Sequence, residues 1–133
     1  MNLQDFINAN HGVLVVGDVV SARKIVMRLL GKLGIKNVSE AANGKDALET
    51  LKKKGGVNLI ISDWSMPEMD GMQLLASVRA NGIYLKLPFI LITSSADREE
   101  VLRAFNAGVT DYMVKPFNAD TIARKLTSVL TNL

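Results

Sequence analysis

Residues 59–71 read Leu-Ile-Ile-Ser-Asp-Trp-Ser-Met-Pro-Glu-Met-Asp-Gly, an apolar run that leads directly into one acid and then into a turn that contains proline. The apolar residues at its start do not alternate with polar ones, which is typical of a strand buried on both faces of a parallel sheet. The acid, Asp63, comes where that strand ends. Open α/β sheets bind ligands at the carboxyl ends of their strands, which favours a chemical role for Asp63. An Asp that only forms a turn with its own backbone is the alternative that this stretch leaves open.

Working outward from this stretch, short apolar strands alternate with amphipathic helices. Five buried strands are predicted, at residues 13–16, 38–41, 58–62, 88–92 and 112–114. Each is followed by a predicted helix, which implies a parallel sheet with right-handed crossovers and helices on both faces. The fold class predicted is therefore α/β, with five strands in the flavodoxin-like order 2-1-3-4-5 and five helices. Residues 1–11 are expected to be a short N-terminal extension, with a weak helical pattern from Leu3 to Ile7.

The composition limits the classes of protein that remain. The chain has 133 residues, 48% of them hydrophobic and 22% charged, which predicts a single domain over residues 1–133. The lack of cysteine excludes disulfides and thiolate chemistry. The first residues carry neither a cationic region nor a long apolar core, and no apolar run reaches membrane-spanning length, so we expect a cytoplasmic protein that does not bind a membrane.

The charge does not point to a nucleic acid. The formal net charge is +3, and the basic run at residues 52–54 falls at the end of a predicted helix. Cations at that end favour the negative pole of the helix dipole, so a solvated helix end explains the run. We predict no nucleic-acid partner and expect the chain to be a monomer.

Four polar residues each follow a predicted strand at the same edge of the sheet: Asp18, Asp63, Thr93 and Lys115. Two carboxylates roughly 5 Å apart repel by about 3 kcal/mol at an effective dielectric constant near ~20, so a neighbouring cation is expected. Mg²⁺ suits this arrangement because it takes one or two carboxylates and leaves positions for phosphate oxygens. A carboxylate can also attack phosphorus and form an aspartyl phosphate. Lys115 and Thr93 would then meet the charge on the phosphoryl oxygens.

Each of these residues also has a simpler interpretation. Lys115 can be an ordinary ion-pair partner of Asp63, Thr93 a β-branched residue at a strand end, and Asp18 a helix cap. The joint pattern is more specific than any one residue, which favours the chemical interpretation.

The sequence resembles the receiver domains of two-component response regulators, most closely the single-domain chemotaxis regulators of the CheY type. The resemblance extends from Val13 to the C-terminus, and four segments carry it: residues 15–18, 61–71, 93–94 and 112–117. It implies a phosphoacceptor signalling protein that catalyses only its own phosphorylation and dephosphorylation. A sensor histidine kinase would be the partner that donates the phosphoryl group.

The resemblance also implies roles for the site residues. Asp63 would accept the phosphoryl group from a phosphohistidine, Thr93 would hydrogen-bond a phosphoryl oxygen, and Lys115 would pair with it. The side chains of Asp18 and Asp63 and the backbone carbonyl of Ser65 would hold Mg²⁺. The peptide bond from Lys115 to the following proline is expected to be cis.

The surface that responds to phosphorylation in this family is formed by the fourth helix, the fifth strand and the fifth helix. By the resemblance, Thr93 moves toward the phosphoryl group and Tyr112 turns inward. Val101, Phe105, Tyr112 and Lys125 are expected to be exposed on this surface and to contact an output protein such as a flagellar switch component. For Tyr112, a half-buried core aromatic with its hydroxyl in water is the alternative.

One position departs from the family pattern. Two adjacent acids usually follow the first strand, whereas this chain has Gly17 and then Asp18. Since the first acid supports the metal through water in the family, we predict weakened Mg²⁺ binding and slower phosphorylation of Asp63.

Several other functions stay open at this point. The chain could be a receiver-like module that binds partners without phosphorylation, or a phosphate sink that drains a kinase without binding a flagellar motor. A haloacid dehalogenase type of phosphatase is disfavoured because it needs a second acid two residues after the nucleophile, where this chain has Ser65. A dinucleotide-binding module is disfavoured because no Gly-x-Gly-x-x-Gly follows the first strand.

Overall fold

A computed structural model of the chain describes residues 1–95 and 97–131. Its elements in chain order are α1 (Leu3–Asn8), β1 (Gly12–Val16), α2 (Val20–Lys32), β2 (Val38–Ala41), α3 (Gly44–Lys54), β3 (Val57–Asp63), α4 (Gly71–Ala80), a 3₁₀ helix (Gly82–Tyr84), β4 (Phe89–Thr93), α5 (Arg98–Asn106), β5 (Asp111–Val114) and α6 (Ala119–Thr131). Within the described ranges, no helix is both long and apolar enough to span a membrane.

The strands form one parallel sheet in the order β2-β1-β3-β4-β5. This is the order predicted from the sequence, and the α/β fold class is confirmed. The chain proceeds from β1 outward to β2 in one direction and from β3 outward to β5 in the other. The carboxyl ends of β1 and β3 therefore flank the point where the strand order reverses, which is where such sheets place their sites.

The helix count differs from the five that were predicted, because α1 forms as well. The side chain of Asn2 accepts a hydrogen bond of 2.8 Å from the N–H of Asp5 and so caps the helix. Phe6 is buried in the core cluster that includes residues of α2 and α6. Leu3 and Ile7 pack against the same cluster. These apolar contacts and the polar cap thus hold a helix whose apolar pattern is too short to be distinctive.

The core lies on both faces of the sheet, which explains the strands without polar alternation. In β3, Leu59 and Ile61 belong to the cluster with α1, α2 and α6, whereas Ile60 belongs to the cluster with α3, α4 and α5. Side chains of a strand alternate between the two faces, and here both faces are covered by helices. Burial on both sides makes the central strands a rigid base for the residues at their ends.

Candidate functional site

Asp63 is the last residue of β3, and its side chain is largely buried. The chain after it turns back on the sheet through two backbone hydrogen bonds, from Trp64 N to Ile92 O at 2.9 Å and from Gly71 N to Trp64 O at 2.8 Å. Gly71 lies so close to the Asp63 carbonyl that any Cβ at position 71 would overlap it. The backbone under the carboxylate is therefore fixed by the sheet on one side and by the turn on the other.

Lys115 is the direct partner of this carboxylate, since its Nζ lies 3.0 Å from Asp63 Oδ1. Its backbone N–H donates to the carbonyl of Thr93 at 2.8 Å, which fixes the chain just after β5. The Lys115–Pro116 peptide bond is cis, which confirms the expectation from the resemblance. The lysine side chain is 46% exposed. It can therefore follow a change in the position of the charge on Asp63.

Thr93 ends β4 at the same edge and is buried, but its hydroxyl is engaged elsewhere. Its Oγ1 donates to the carbonyl of Ser95 at 3.0 Å and accepts from the Ser95 N–H at 3.2 Å. Both bonds lie within the loop after β4. A contact between Thr93 and a group on Asp63 would thus require the hydroxyl to leave the Ser95 carbonyl.

Gly17 follows β1 and lies directly against the carboxylate. Its N–H donates to the Ala41 carbonyl at 3.0 Å, and a Cβ built at this position would be 2.7 Å from Asp63 Oδ2. Asp18 comes next and is exposed. Within residues 1–95 and 97–131, no three His, Cys, Asp or Glu side chains cluster closely enough to hold a metal ion. The two oxygens of Asp63 therefore face different neighbours, Lys115 at Oδ1 and Gly17 at Oδ2.

Arg23 lies in the first turns of α2 and is not among the site residues predicted from the sequence. Its Nη1 donates to the carbonyl of Gly17 at 2.5 Å, and its Nε donates to Glu40 Oε1 at 3.0 Å. Lys24 pairs with the other oxygen of Glu40 at 3.0 Å. The hydrogen bonds from Lys24 and Arg23 hold the pKa of Glu40 below its usual range. The signal for Arg23 in the sequence is a basic residue next to the inward-facing positions of an amphipathic helix.

A pocket of about 270 Å³ joins these residues between α2 and the chain after β5. Three charged residues, Asp63, Lys115 and Arg23, contribute to its wall. The rest of the lining is mostly apolar and comprises Val15, Val16, Ala22, Ile25, Val26, Ile92, Pro116 and Phe117. The carboxylate of Asp63 thus pairs with one cation, Lys115, and shares a mainly apolar pocket with a second, Arg23. Charges interact more strongly in such a setting than in water.

Of the four residues expected on the partner surface, Phe105, Tyr112 and Lys125 contact one another across α5, β5 and α6, and Val101 lies on α5. The rings of Phe105 and Tyr112 meet edge to face, with centroids 6.1 Å apart. Lys125 Nζ lies 4.9 Å from the centre of the Tyr112 ring and 3.1 Å from Asp111 Oδ1. The expectation that all four are exposed is wrong, because Val101, Tyr112 and Lys125 are half-buried and only Phe105 of the four is exposed.

Packing of the ring between its neighbours causes this difference for Tyr112, whose half-buried position was the alternative left open. Leu102, next to Val101, is 51% exposed and is not among the surface residues predicted from the sequence. The surface therefore offers two large apolar side chains, Leu102 and Phe105, to the solvent.

Comparison with known proteins identifies the family. Residues 13–127 match the family model described as the response regulator receiver domain. The chain belongs to this family. The receiver domain is 40% identical to chemotaxis protein CheY-3 of Vibrio cholerae over 131 residues, which are 98% of this chain and all of that protein. It is also 40% identical to chemotaxis protein CheY1 of Helicobacter pylori over 118 residues, which cover 89% of this chain and 95% of that protein.

Solved structures agree with this family. The crystal structure of Vibrio cholerae chemotaxis protein CheY4 matches the receiver domain with a TM-score of 0.83 and 34% identity, over 90% of this chain and 98% of that one. A putative response regulator from Chloroflexus aurantiacus matches with a TM-score of 0.84 and 28% identity, over 91% of this chain and 98% of that one. The resemblance stated from the sequence motifs is thus confirmed at the level of the receiver domain.

Proposed function

We propose that this receiver domain accepts a phosphoryl group on Asp63 from a sensor histidine kinase. The observation that carries this proposal is the carboxylate of Asp63, fixed at the end of a central strand and paired with Lys115 in a mainly apolar pocket. A largely buried carboxylate with a half-exposed cationic partner is suited to nucleophilic attack on phosphorus. The family to which the chain belongs supports the same role.

In the proposed transfer, an oxygen of Asp63 attacks phosphorus while the bond from phosphorus to the donor nitrogen breaks. The electron pair of that bond leaves with the nitrogen, which takes a proton from solvent. The group that arrives adds about 1.5 to 2 negative charges to the site. Lys115 stays close enough to pair with it, and the hydroxyl of Thr93 exchanges its bond to Ser95 for a phosphoryl oxygen.

The residues that would hold Mg²⁺ are Asp18, Asp63 and the backbone carbonyl of Ser65. They fit the ion in kind, because all the donors are oxygens and Mg²⁺ needs only one or two carboxylates when water and phosphate complete its shell. Mg²⁺ bound there would neutralise charge on the phosphoryl oxygens. Gly17 removes one acid from this set, so we propose weaker binding of Mg²⁺ and slower phosphorylation than in a receiver with both acids.

The output of the domain is proposed to be a surface on α5, β5 and α6, formed by Val101, Leu102, Phe105, Tyr112 and Lys125. Withdrawal of the Thr93 hydroxyl from its loop would change the packing around Tyr112 and thus the shape of this surface. The similar proteins from Vibrio cholerae and Helicobacter pylori are named chemotaxis proteins. We therefore propose that the partner belongs to chemotaxis signalling, such as a component of the flagellar switch.

The test is phosphorylation by a small donor, phosphoramidate, in the presence of Mg²⁺. The wild type is expected to gain the mass of one phosphoryl group in a form labile to acid and alkali, and to change its Trp64 fluorescence. Asp63→Asn should show neither change, whereas Asp46→Asn, which removes an exposed carboxylate on α3, should behave as the wild type. A folded wild type that gains no phosphoryl group would contradict the proposal.

The same samples separate the other functions. Partner binding that is equal for the wild type and Asp63→Asn would favour a module that works without phosphorylation. Rapid loss of phosphate from a kinase, with no binding of an output protein, would favour a phosphate sink. Turnover of an external phosphoester would favour a phosphatase.

A further inference from the structure

The pocket at the site is lined by a second cation, Arg23, to which the proposed transfer assigns no role. We propose that Arg23 contacts the phosphoryl group on Asp63 and supplies part of the positive charge that the acid-poor metal site provides less well. This inference rests on the proposed function and concerns how this chain performs the transfer without the usual pair of acids.

The first argument is the position of Arg23. The side chain lines the same pocket as Asp63 and Lys115 and is only 13% exposed. Its bonds to Glu40 and to the Gly17 carbonyl use Nε and Nη1, and they leave the hydrogens of Nη2 for another acceptor. A guanidinium held in this way presents a fixed, charged donor, which is the geometry that suits phosphate oxygens.

The second argument is the space created by Gly17. A Cβ at this position would lie 2.7 Å from Asp63 Oδ2 and 3.6 Å from Arg23 Cγ. Any side chain here would therefore press on the carboxylate and contact the aliphatic part of the arginine. An acid at this position would also give the guanidinium a carboxylate partner of its own. Glycine removes both obstacles.

The third argument is the charge of the site. Two cations and one carboxylate line the pocket, and Asp18 is exposed outside it. Transfer adds about 1.5 to 2 negative charges beside Asp63. The guanidinium of Arg23 would act only on the charge of the transferred group, as a fixed hydrogen-bond donor to its oxygens. Phosphorylation of Asp63 should therefore depend less on Mg²⁺ than a site with only one cation would.

The experiment measures the rate of phosphorylation by phosphoramidate, followed by intact mass, in excess Mg²⁺ and in excess EDTA. Wild type is compared with Arg23→Gln, Arg23→Lys and the control Lys24→Gln. Lys24 pairs with the same Glu40 but does not line the pocket, so this control removes an equal charge from the same neighbourhood. Thermal melting of each variant reports whether the fold is intact.

We expect Arg23→Gln to lower the rate in EDTA by about tenfold or more, by analogy with the loss of one fixed donor at a reacting oxyanion. In Mg²⁺ its effect should be much smaller, because the ion then carries most of the charge. Arg23→Lys should retain part of the rate in EDTA, since it keeps the charge, and Lys24→Gln should match the wild type under both conditions.

Three results would overturn the inference while the proposed function stands. The first is a wild type that is phosphorylated in Mg²⁺ but not in EDTA. The second is an equal loss for Arg23→Gln in both conditions, or no loss at all, which would limit Arg23 to bracing the turn after β1. The third is a rate in EDTA for Arg23→Lys as low as that for Arg23→Gln. A wild type that is not phosphorylated under either condition would overturn the proposed function and this inference together.

Discussion

At the level of single residues, the two oxygens of the Asp63 carboxylate have different neighbours, a cationic side chain and a glycine. Lys115 pairs with Oδ1, whereas Gly17 leaves room beside Oδ2 that no other amino acid would leave. Glycine at position 17 therefore bears on two proposals: the weaker binding of a metal, and the space that the carboxylate occupies beside Gly17. Arg23 contacts the same glycine, because its Nη1 donates a hydrogen bond to the Gly17 carbonyl.

Gly17→Ala tests the second of these proposals. The added Cβ would lie 2.7 Å from Asp63 Oδ2, so the carboxylate must turn away. We expect the rate of phosphorylation in Mg²⁺ to fall by about tenfold to a hundredfold, because a small misplacement of a reacting group carries a cost of this size. The rate is measured with phosphoramidate and intact mass. An unchanged rate would mean that Gly17 does not set the position of the carboxylate.

At the level of elements, α2 carries both the site residue Arg23 and a glycine that serves no visible purpose. Gly31 is exposed near the end of this helix, and a Cβ there would have no atom within 4 Å. Gly31→Ala is expected to raise the free energy of unfolding by about 0.5–1 kcal/mol, since glycine loses more backbone entropy than alanine in a helix. Urea denaturation measures this change, and the phosphorylation rate should stay at the wild-type value. A loss of stability would contradict the prediction.

The start of α4 offers a second test of an element. The Asp70 side chain accepts a hydrogen bond of 2.8 Å from the Gln73 N–H, and Gln73 Oε1 accepts one of 2.9 Å from the Asp70 N–H, which completes a capping box. Asp70→Ala should lower the free energy of unfolding by about 0.5–2 kcal/mol, whereas Asp70→Asn keeps a capping oxygen and should cost little. Urea unfolding of both variants distinguishes a cap from a charge effect. Equal losses for the two would refute the cap.

Strand β3 and helix α1 show which elements of the fold could be predicted from the sequence. Buried strands such as β3 were recognisable because burial on both faces leaves an uninterrupted apolar run. The predicted span of residues 58–62 was short by a residue at each end, so Asp63 belongs to the strand. Helix α1 has only a weak pattern in the sequence because it is six residues long, with one fully buried side chain, Phe6, and two partly buried ones, Leu3 and Ile7.

In the candidate site, too, some residues could be predicted from the sequence and others could not. The residues at strand ends, such as Asp63 and Thr93, follow from topology and could be placed at one edge in advance. The place of Arg23 in the pocket could not be predicted, because it depends on the direction in which its side chain leaves α2. The half-burial of Tyr112 likewise depends on Phe105 and Lys125, which contact it only in the folded chain.

At the level of the whole molecule, Glu40 links β2 to α2 through Arg23 and Lys24. These hydrogen bonds lower the pKa of Glu40, so its charged form stabilises the fold. The contribution is complete above the usual pKa of a glutamate in an unfolded chain and is lost as the pH falls through the lower pKa of the folded state.

Glu40→Gln should therefore be less stable than the wild type at neutral pH, with a difference that shrinks as the pH falls from about 5 to about 3. Urea midpoints at a series of pH values measure this trend. Glu49→Gln is the matched control, because Glu49 is an exposed carboxylate on α3, and its difference from the wild type should stay nearly constant. A difference for Glu40→Gln that does not change with pH would contradict the role of the ion pairs.

The strand order of the sheet puts Asp63 at the end of its central strand. A phosphoryl group on this carboxylate can be located directly. After reaction with phosphoramidate and Mg²⁺, borohydride reduces an aspartyl phosphate to homoserine, and peptide mass analysis then finds the converted residue. We expect homoserine at position 63 and unchanged aspartates at positions 18 and 70. An unchanged aspartate at position 63 in folded, reacted protein, or conversion at another position, would contradict the claim that Asp63 is the phosphoryl acceptor.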